Sequence, residues 1–183
     1  MSAAAASGAP DAPRRHWTAA VYTRMNPVMR RLLRSRLHPV VSGRAALLGI
    51  TGRRTGRSYE ICVGYAPHGP DSIDVLVSDA RHRSWWRNFV DGGPVRVTLR
   101  GEQHEGWAIA HGAPSAAFKA IADRAMPEIV GRRGAQRFFG VPDLDPVAGL
   151  TERDLARLEG FAVAVNVTWE PGGAASSPGQ SPV

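Results

Sequence analysis

Arg53, Arg54 and Arg57 fall within the eight residues Thr-Gly-Arg-Arg-Thr-Gly-Arg-Ser (51–58), spaced by Gly52 and Gly56 and set between two apolar runs. A guanidinium is a planar fork of N–H donors that meets the oxygens of phosphate or carboxylate two at a time. Three forks on a short connection can grip an anion, and the glycines let backbone N–H groups approach it. The alternative is a surface hairpin whose arginines are solvated, and the motif alone leaves both readings open.

Residues that would do chemistry unaided are missing. A Walker loop needs glycine at 51 and lysine at 57; this chain has Thr51 and Arg57, followed by a β-like run rather than a helix. His16, His38, His68, His82, His104 and His111 show no metal-ligand spacing and no neighbouring carboxylate pattern, so no metal site is expected. There is no Gly-x-Ser-x-Gly elbow, and Cys62 is the single cysteine, without an activating partner nearby in sequence. Asp143 and Asp145 belong to a proline-bounded turn. An enzyme built from this chain takes its reactive atom from a bound cofactor.

The elements that must position these residues are mostly strands. Alternating or continuous apolar runs predict strands over 45–51, 59–66, 73–78, 95–100, 103–110 and 161–169. Six strands with few helices between them predict an α+β fold built on a six-stranded antiparallel barrel. Helices are expected over 84–90, over 115–130 with Pro127 ending the regular part, and over 151–158, where Thr-Glu-Arg-Asp opens like a capping box. Trp17, Val21, Met25, Val28, Met29, Leu32, Leu33 and Leu37 have helical spacing, with Arg24, Arg30, Arg31 and Arg34 on the other sides. That amphipathic helix packs on the core, or touches an anionic membrane surface or a bound ligand tail.

Composition frames the whole. The chain has 183 residues, 43% of them hydrophobic, which suits one domain over 14–170 with disordered Ala/Ser/Gly/Pro tails at 1–13 and 171–183. Eleven arginines fall in the first sixty residues against Asp11 and Glu60, within a formal net charge of +7. An anionic partner for the first third follows. No nucleic-acid module is present and the positive charge ends after residue 57, so nucleic acid is not expected. The absence of a basic, leucine-rich start and the single cysteine lead to a cytoplasmic expectation, with association at the inner membrane face left open.

Two stretches in order carry a resemblance. The first is Leu47-Leu48-Gly49-Ile50 with the arginine motif and Ser58-Tyr59-Glu60-Ile61-Cys62-Val63-Gly64-Tyr65. The second is Val77-Ser78-Asp79-Ala80, then Ser84-Trp85-Trp86-Arg87-Asn88-Phe89 and Gly93-Pro94-Val95-Arg96-Val97. Together they resemble the deazaflavin-dependent nitroreductase and quinone reductase family of flavin-binding split β-barrels, over roughly residues 24–110.

The resemblance implies coenzyme F420, a deazaflavin with a phosphodiester and an oligoglutamate tail. Arg53, Arg54, Thr55, Gly56, Arg57 and Ser58 would hold that tail, and Cys62, Val63 and Gly64 would line the ring face. Val77 and Ser78 would end a strand beside the ring, while Ser84, Trp85, Trp86, Arg87 and Asn88 would form a short helix against the cofactor. The reaction implied is hydride transfer from the reduced deazaflavin to a quinone, nitro group, enone or imine. Relatives place tyrosines at the substrate face near the C-terminal helix; residues 114–160 here contain none, and Phe138 and Phe139 are the nearest aromatic pair. FMN in the same barrel, or a non-catalytic carrier of an anionic or apolar ligand, are the alternatives. Split barrels occur as monomers and as homodimers, and the sequence does not choose between them.

Overall fold

The computed structural model describes residues 45–142, 144 and 148–170. The expected helix over 17–37, the two tails, and Asp143 and Asp145 lie outside the described residues. The strands are β1 (Ala45–Thr51), β2 (Ser58–Gly64), β3 (Ala66–Pro67), β4 (Ser72–Val77), β5 (Gly93–Leu99), β6 (Glu102–Gly112) and β7 (Val163–Trp169). All pairings are antiparallel, in one sheet of order β2-β1-β5-β6-β7-β4-β3.

That order explains the curvature. β2 and β3 form opposite edges of the sheet, yet only Tyr65 separates them in the chain. Consecutive Cα atoms are about 3.8 Å apart, so the two edges meet within roughly 7 Å at this point. A flat sheet cannot do this; the sheet rolls into a half-barrel. Here the count differs from the expected six strands, because the run 59–66 divides where the chain stops pairing with β1 and starts pairing with β4. The buried ring of Tyr65 fixes the bend.

Period-two alternation then sorts the side chains. Leu48 and Ile50, Val75, Val95 and Val97, and Val165 and Val167 fill the barrel interior, with Phe89 plugging it. The alternate positions of β4 and β7, such as Leu76 and Ala164, face a second core formed with α1 (Ala116–Ile129), α2 (Gly131–Phe139) and α3 (Glu152–Leu158). Asp74 is buried on this outer face. Arg124 of α1 grips it with Nε at 2.6 Å and Nη2 at 3.1 Å, and Asn166 donates from Nδ2 at 2.8 Å. The pair fastens the helical layer to the sheet, and losing Arg124 would strand a buried carboxylate at a cost of about 3–5 kcal/mol.

The helices follow their caps. Ser115 Oγ accepts the Phe118 N–H, and Thr151 with Asp154 completes the expected capping box. Pro127 does not end α1, which runs on to Ile129; near a helix end, proline removes one hydrogen bond without breaking the element. Helix α2 was not expected, since two glycines oppose it. β7 begins at Val163 rather than 161, because Gly160 (φ 66°) lets Phe161 and Ala162 turn back to donate to the Leu158 carbonyl. Among the described residues no helix is long and apolar enough to cross a membrane.

Strand direction assigns every connection to an end. The end of β1, start of β2, end of β4, start of β5, end of β6 and start of β7 lie together. The arginine loop and the segment 78–92 therefore share one end of the barrel, hereafter the hairpin end.

Candidate functional site

The hairpin loop is closed by its own backbone. Gly52 N–H donates to the Arg57 carbonyl at 3.0 Å, and Gly56 N–H to the Gly52 carbonyl at 2.8 Å. Gly56 adopts φ 64°, the left-handed region that favours glycine. Both glycine N–H groups are thus spent inside the loop, rather than offered to a ligand as the sequence suggested. What the loop presents is side chains: Arg53, Arg54, Thr55, Arg57 and Ser58 are exposed. Thr51 Oγ1 and Ser58 Oγ pair at 3.2 Å across its base.

The segment 78–92 supplies the brace. The expected helix over 84–90 is a 3-10 helix, Trp85–Phe89, begun by Ser84 without a side-chain cap. It is too short for an appreciable dipole, so its N-terminus is no phosphate site. Its value lies in Asn88. The Asn88 Oδ1 accepts the Arg53 backbone N–H at 3.0 Å, and Nδ2 donates to Tyr59 Oη at 3.1 Å and to the Trp85 carbonyl at 2.8 Å. One amide joins loop, β2 and 3-10 helix. Arg53 Nη1 adds an ion pair to Asp91 Oδ2 at 2.8 Å, with both side chains largely exposed. Arg54 and Arg57 form no ion pair with any described residue.

The two tryptophans pack inward. Trp85 meets Phe89 edge-on, Trp86 donates its indole N–H to the Ala80 carbonyl at 3.0 Å, and Arg87 lies over the Trp86 ring at 5.0 Å. Both tryptophans are half-buried against the barrel core. Val77 is buried inside the barrel, and Ser78 is half-buried at the hairpin end of β4.

A groove of about 450 Å³ runs from the base of the loop over the outer face of β2, β1 and β5. Small-molecule sites typically span roughly 300–1,000 Å³. Thr51 and Ser58 form its upper end; Gly49, Glu60, Arg96 and Glu105 lie along it. Register explains the grouping: Glu60 pairs with Gly49, Gly49 with Arg96, and Arg96 with Glu105, so four outward positions align across four strands. Gly49 keeps the row shallow, since a Cβ there would sit 3.2 Å from the Arg96 Cβ. Arg96 Nε donates to Glu105 Oε1 at 2.7 Å. That hydrogen bond and the Glu105 charge, with a smaller push from Glu60, raise the Arg96 pKa above its ordinary value. The charged groups of the groove, Glu60, Arg96 and Glu105, sum to a negative charge, whereas the loop above it is cationic.

Cys62 and Gly64 share the outward face of β2 with Glu60, while Val63 turns into the barrel core. Burial pushes the Cys62 thiol pKa up, which keeps it protonated and a poor nucleophile at neutral pH. Phe138 and Phe139 are not brought to this place: they stack edge-on in α2, and Phe139, 2% exposed, belongs to the helical core. The row Glu60-Gly49-Arg96-Glu105 was not read from the sequence, because it depends on register. His82 also escaped: Asp79, three residues before it, does supply a neighbouring carboxylate.

A half-barrel of antiparallel strands, with a groove on its outer face and a braced cationic loop at the groove's end, defines a split β-barrel. The chain belongs to the F420H(2)-dependent quinone reductase family, whose model matches residues 21–137. Similar solved structures include the FAD and heme binding protein from Mycobacterium smegmatis, at 13% identity and TM-score 0.42 over 79% of this chain and 75% of that one. Another is HutZ, the heme storage protein from Vibrio cholerae, at 13% identity and TM-score 0.42 over 80% of this chain and 90% of that one. No curated protein matches the chain.

The donor set fits the family's coenzyme. Arg54 and Arg57 offer charged forks suited to phosphate and carboxylates, and the groove beside them has the volume of a small-molecule site.

Proposed function

We propose that this protein is a reductase that binds reduced coenzyme F420 and uses it to reduce a small organic electrophile such as a quinone, a nitro compound, an enone or an imine. The observation that carries the reading is the arginine loop, clasped by Asn88 and standing at the end of a groove of cofactor size. When bound, the coenzyme supplies the hydride. Arg54 and Arg57, with Arg53 released from Asp91, hold its anionic tail. Gly49 and the outward face of β2 receive the ring, where Cys62 and Gly64 allow close approach. The barrel keeps these groups fixed, so the protein's contribution is positioning and exclusion of water rather than a side-chain nucleophile.

Titration of the purified chain with F420, followed by coenzyme fluorescence, tests this directly. Binding at micromolar or lower concentration, weakening as salt screens the arginines, is the expected result. Unchanged fluorescence, or a protein that purifies yellow with FMN released on denaturation, overturns the proposal. Binding without turnover of quinones, enones or nitroarenes would leave a carrier instead of a reductase.

A further inference from the structure

The groove has two halves. Gly49, Thr51, Ser58 and Glu60 stand on β1 and β2, whereas Pro94, Arg96 and Glu105 stand on β5 and β6. Neighbouring strands lie about 4.8 Å apart, so the second half begins one strand beyond Gly49. Arg96 is the one cation among the described residues that line the groove. Its stem runs beside Gly49, where an added Cβ would meet Arg96 Cβ at 3.2 Å and Cδ at 3.9 Å. Its head turns the other way, because Nε donates to Glu105 Oε1 of β6 at 2.7 Å.

A guanidinium carries further N–H donors on Nη1 and Nη2. In Arg96 these donate to no described residue, and the side chain is 52% exposed. Glu60 stands two strands away across Gly49 and acts on Arg96 more weakly than Glu105 does. Beside the head lies apolar surface. Trp107 follows Glu105 on the same outward face of β6, pairs with Pro94 of β5 and is 50% exposed. Its indole lies against the backbone of Gly92, where a Cβ would sit 2.6 Å from Nε1. An aromatic floor thus borders a fork of unspent donors.

We propose that the β5–β6 half of the groove is the acceptor subsite: Trp107 and Pro94 carry a planar conjugated acceptor, and Arg96, held by Glu105, binds the oxygen that becomes charged. Hydride addition makes a C–H bond on the acceptor and drives a π pair onto a carbonyl or nitro oxygen, with the coenzyme oxidised; water then protonates that oxygen. Donors fixed beforehand at this position favour the charged oxygen over the neutral acceptor. The inference rests on the reductase reading above and narrows its acceptors to quinones, enones and nitro compounds. Reduction of an imine leaves no charge on oxygen and gains nothing from Arg96.

The experiment uses the full chain as wild type, Arg96→Gln, Arg96→Lys and Trp107→Ala. Without coenzyme, 19F NMR of 2-fluoro-4-nitrophenol reports how far the bound phenol is ionised. Wild type should ionise it at an about tenfold lower hydroxide concentration than Arg96→Gln, a difference of about one pKa unit, with Arg96→Lys between them. With saturating F420H2, Arg96→Gln lowers kcat/KM for menadione tenfold or more, while F420 affinity stays within twofold. A cyclic imine is reduced equally by wild type and Arg96→Gln, or by neither. Trp107→Ala raises the KM for menadione more than it lowers kcat. Unchanged menadione kinetics in Arg96→Gln, beside a wild type that binds and turns over, overturn this inference and leave the reductase standing. A phenol ionised equally in wild type and Arg96→Gln also overturns it. A wild type that does not bind F420 removes both.

Discussion

The two ends of the barrel are built on the same strands and behave as opposites. At the far end the β5–β6 connection is a tight turn, with Arg100 at φ 51° and Gly101 at φ 86°. His104 stacks on Trp169 at 5.1 Å, and the Asp71 carbonyl accepts the Trp169 N–H at 2.9 Å. A cavity of about 340 Å³ lies there, lined by Arg100 and His104 as well as by Asp71 and Glu102, so its charges mix. At the hairpin end the arginine loop, closed by its own backbone, carries exposed arginines and is tied through Asn88 to the neighbouring 3-10 helix. Concavity is common to both ends; an unbalanced and rigidly supported charge belongs to one. That difference, more than pocket size, is what the proposed function rests on.

The sharpest way to break this contrast is to remove positive charge from each end in turn. Arg54→Ala with Arg57→Ala should weaken F420 binding tenfold to a hundredfold, equivalent to about 1.4–2.8 kcal/mol, and should flatten its salt dependence. Arg100→Ala, which also removes one exposed guanidinium, should leave affinity within twofold. Fluorescence titrations at two salt concentrations measure both. Equal losses would mean that overall charge, not the braced loop, attracts the coenzyme.

A smaller effect is expected from the brace. Asn88→Ala removes three hydrogen bonds of one amide, each worth about 0.5–1.5 kcal/mol net, and should lower Tm by several degrees. Its signature is local: the Arg53 amide should exchange with solvent far faster, while amides at the far end keep their protection. F420 affinity should fall severalfold although Asn88 itself is occupied by protein contacts. Uniform loss of protection would show that the loop has no independent support.

The sequence made parts of this contrast readable and hid others. Alternation in residues such as Val95 and Val97, or Val163, Val165 and Val167, announced strands because one face had to be buried. The cap at Thr151 and the arginine loop were local patterns, visible at short spacing. The bend at Tyr65 was not, since a change of strand partner leaves apolar content unchanged. Nor was the aligned row of Glu60, Gly49, Arg96 and Glu105, which exists only once register is set. Asn88 reaches a residue 35 positions away, and a lone asparagine carries no mark of that.

The smallest expected effect concerns the one arginine of the loop that is already engaged. Arg53 and Asp91 make an exposed pair, a class worth about 0–1 kcal/mol. An anionic tail arriving at the loop must compete with that carboxylate for the guanidinium and also meets its negative charge. Asp91→Asn removes the charge, keeps the shape and leaves Arg53 free. F420 should then bind two- to fivefold tighter at low salt, with the gain shrinking as salt rises. Looser binding in Asp91→Asn would mean that Asp91 holds Arg53 in its working position rather than occupying it, and that the loop is prepared by its own acid before any ligand arrives.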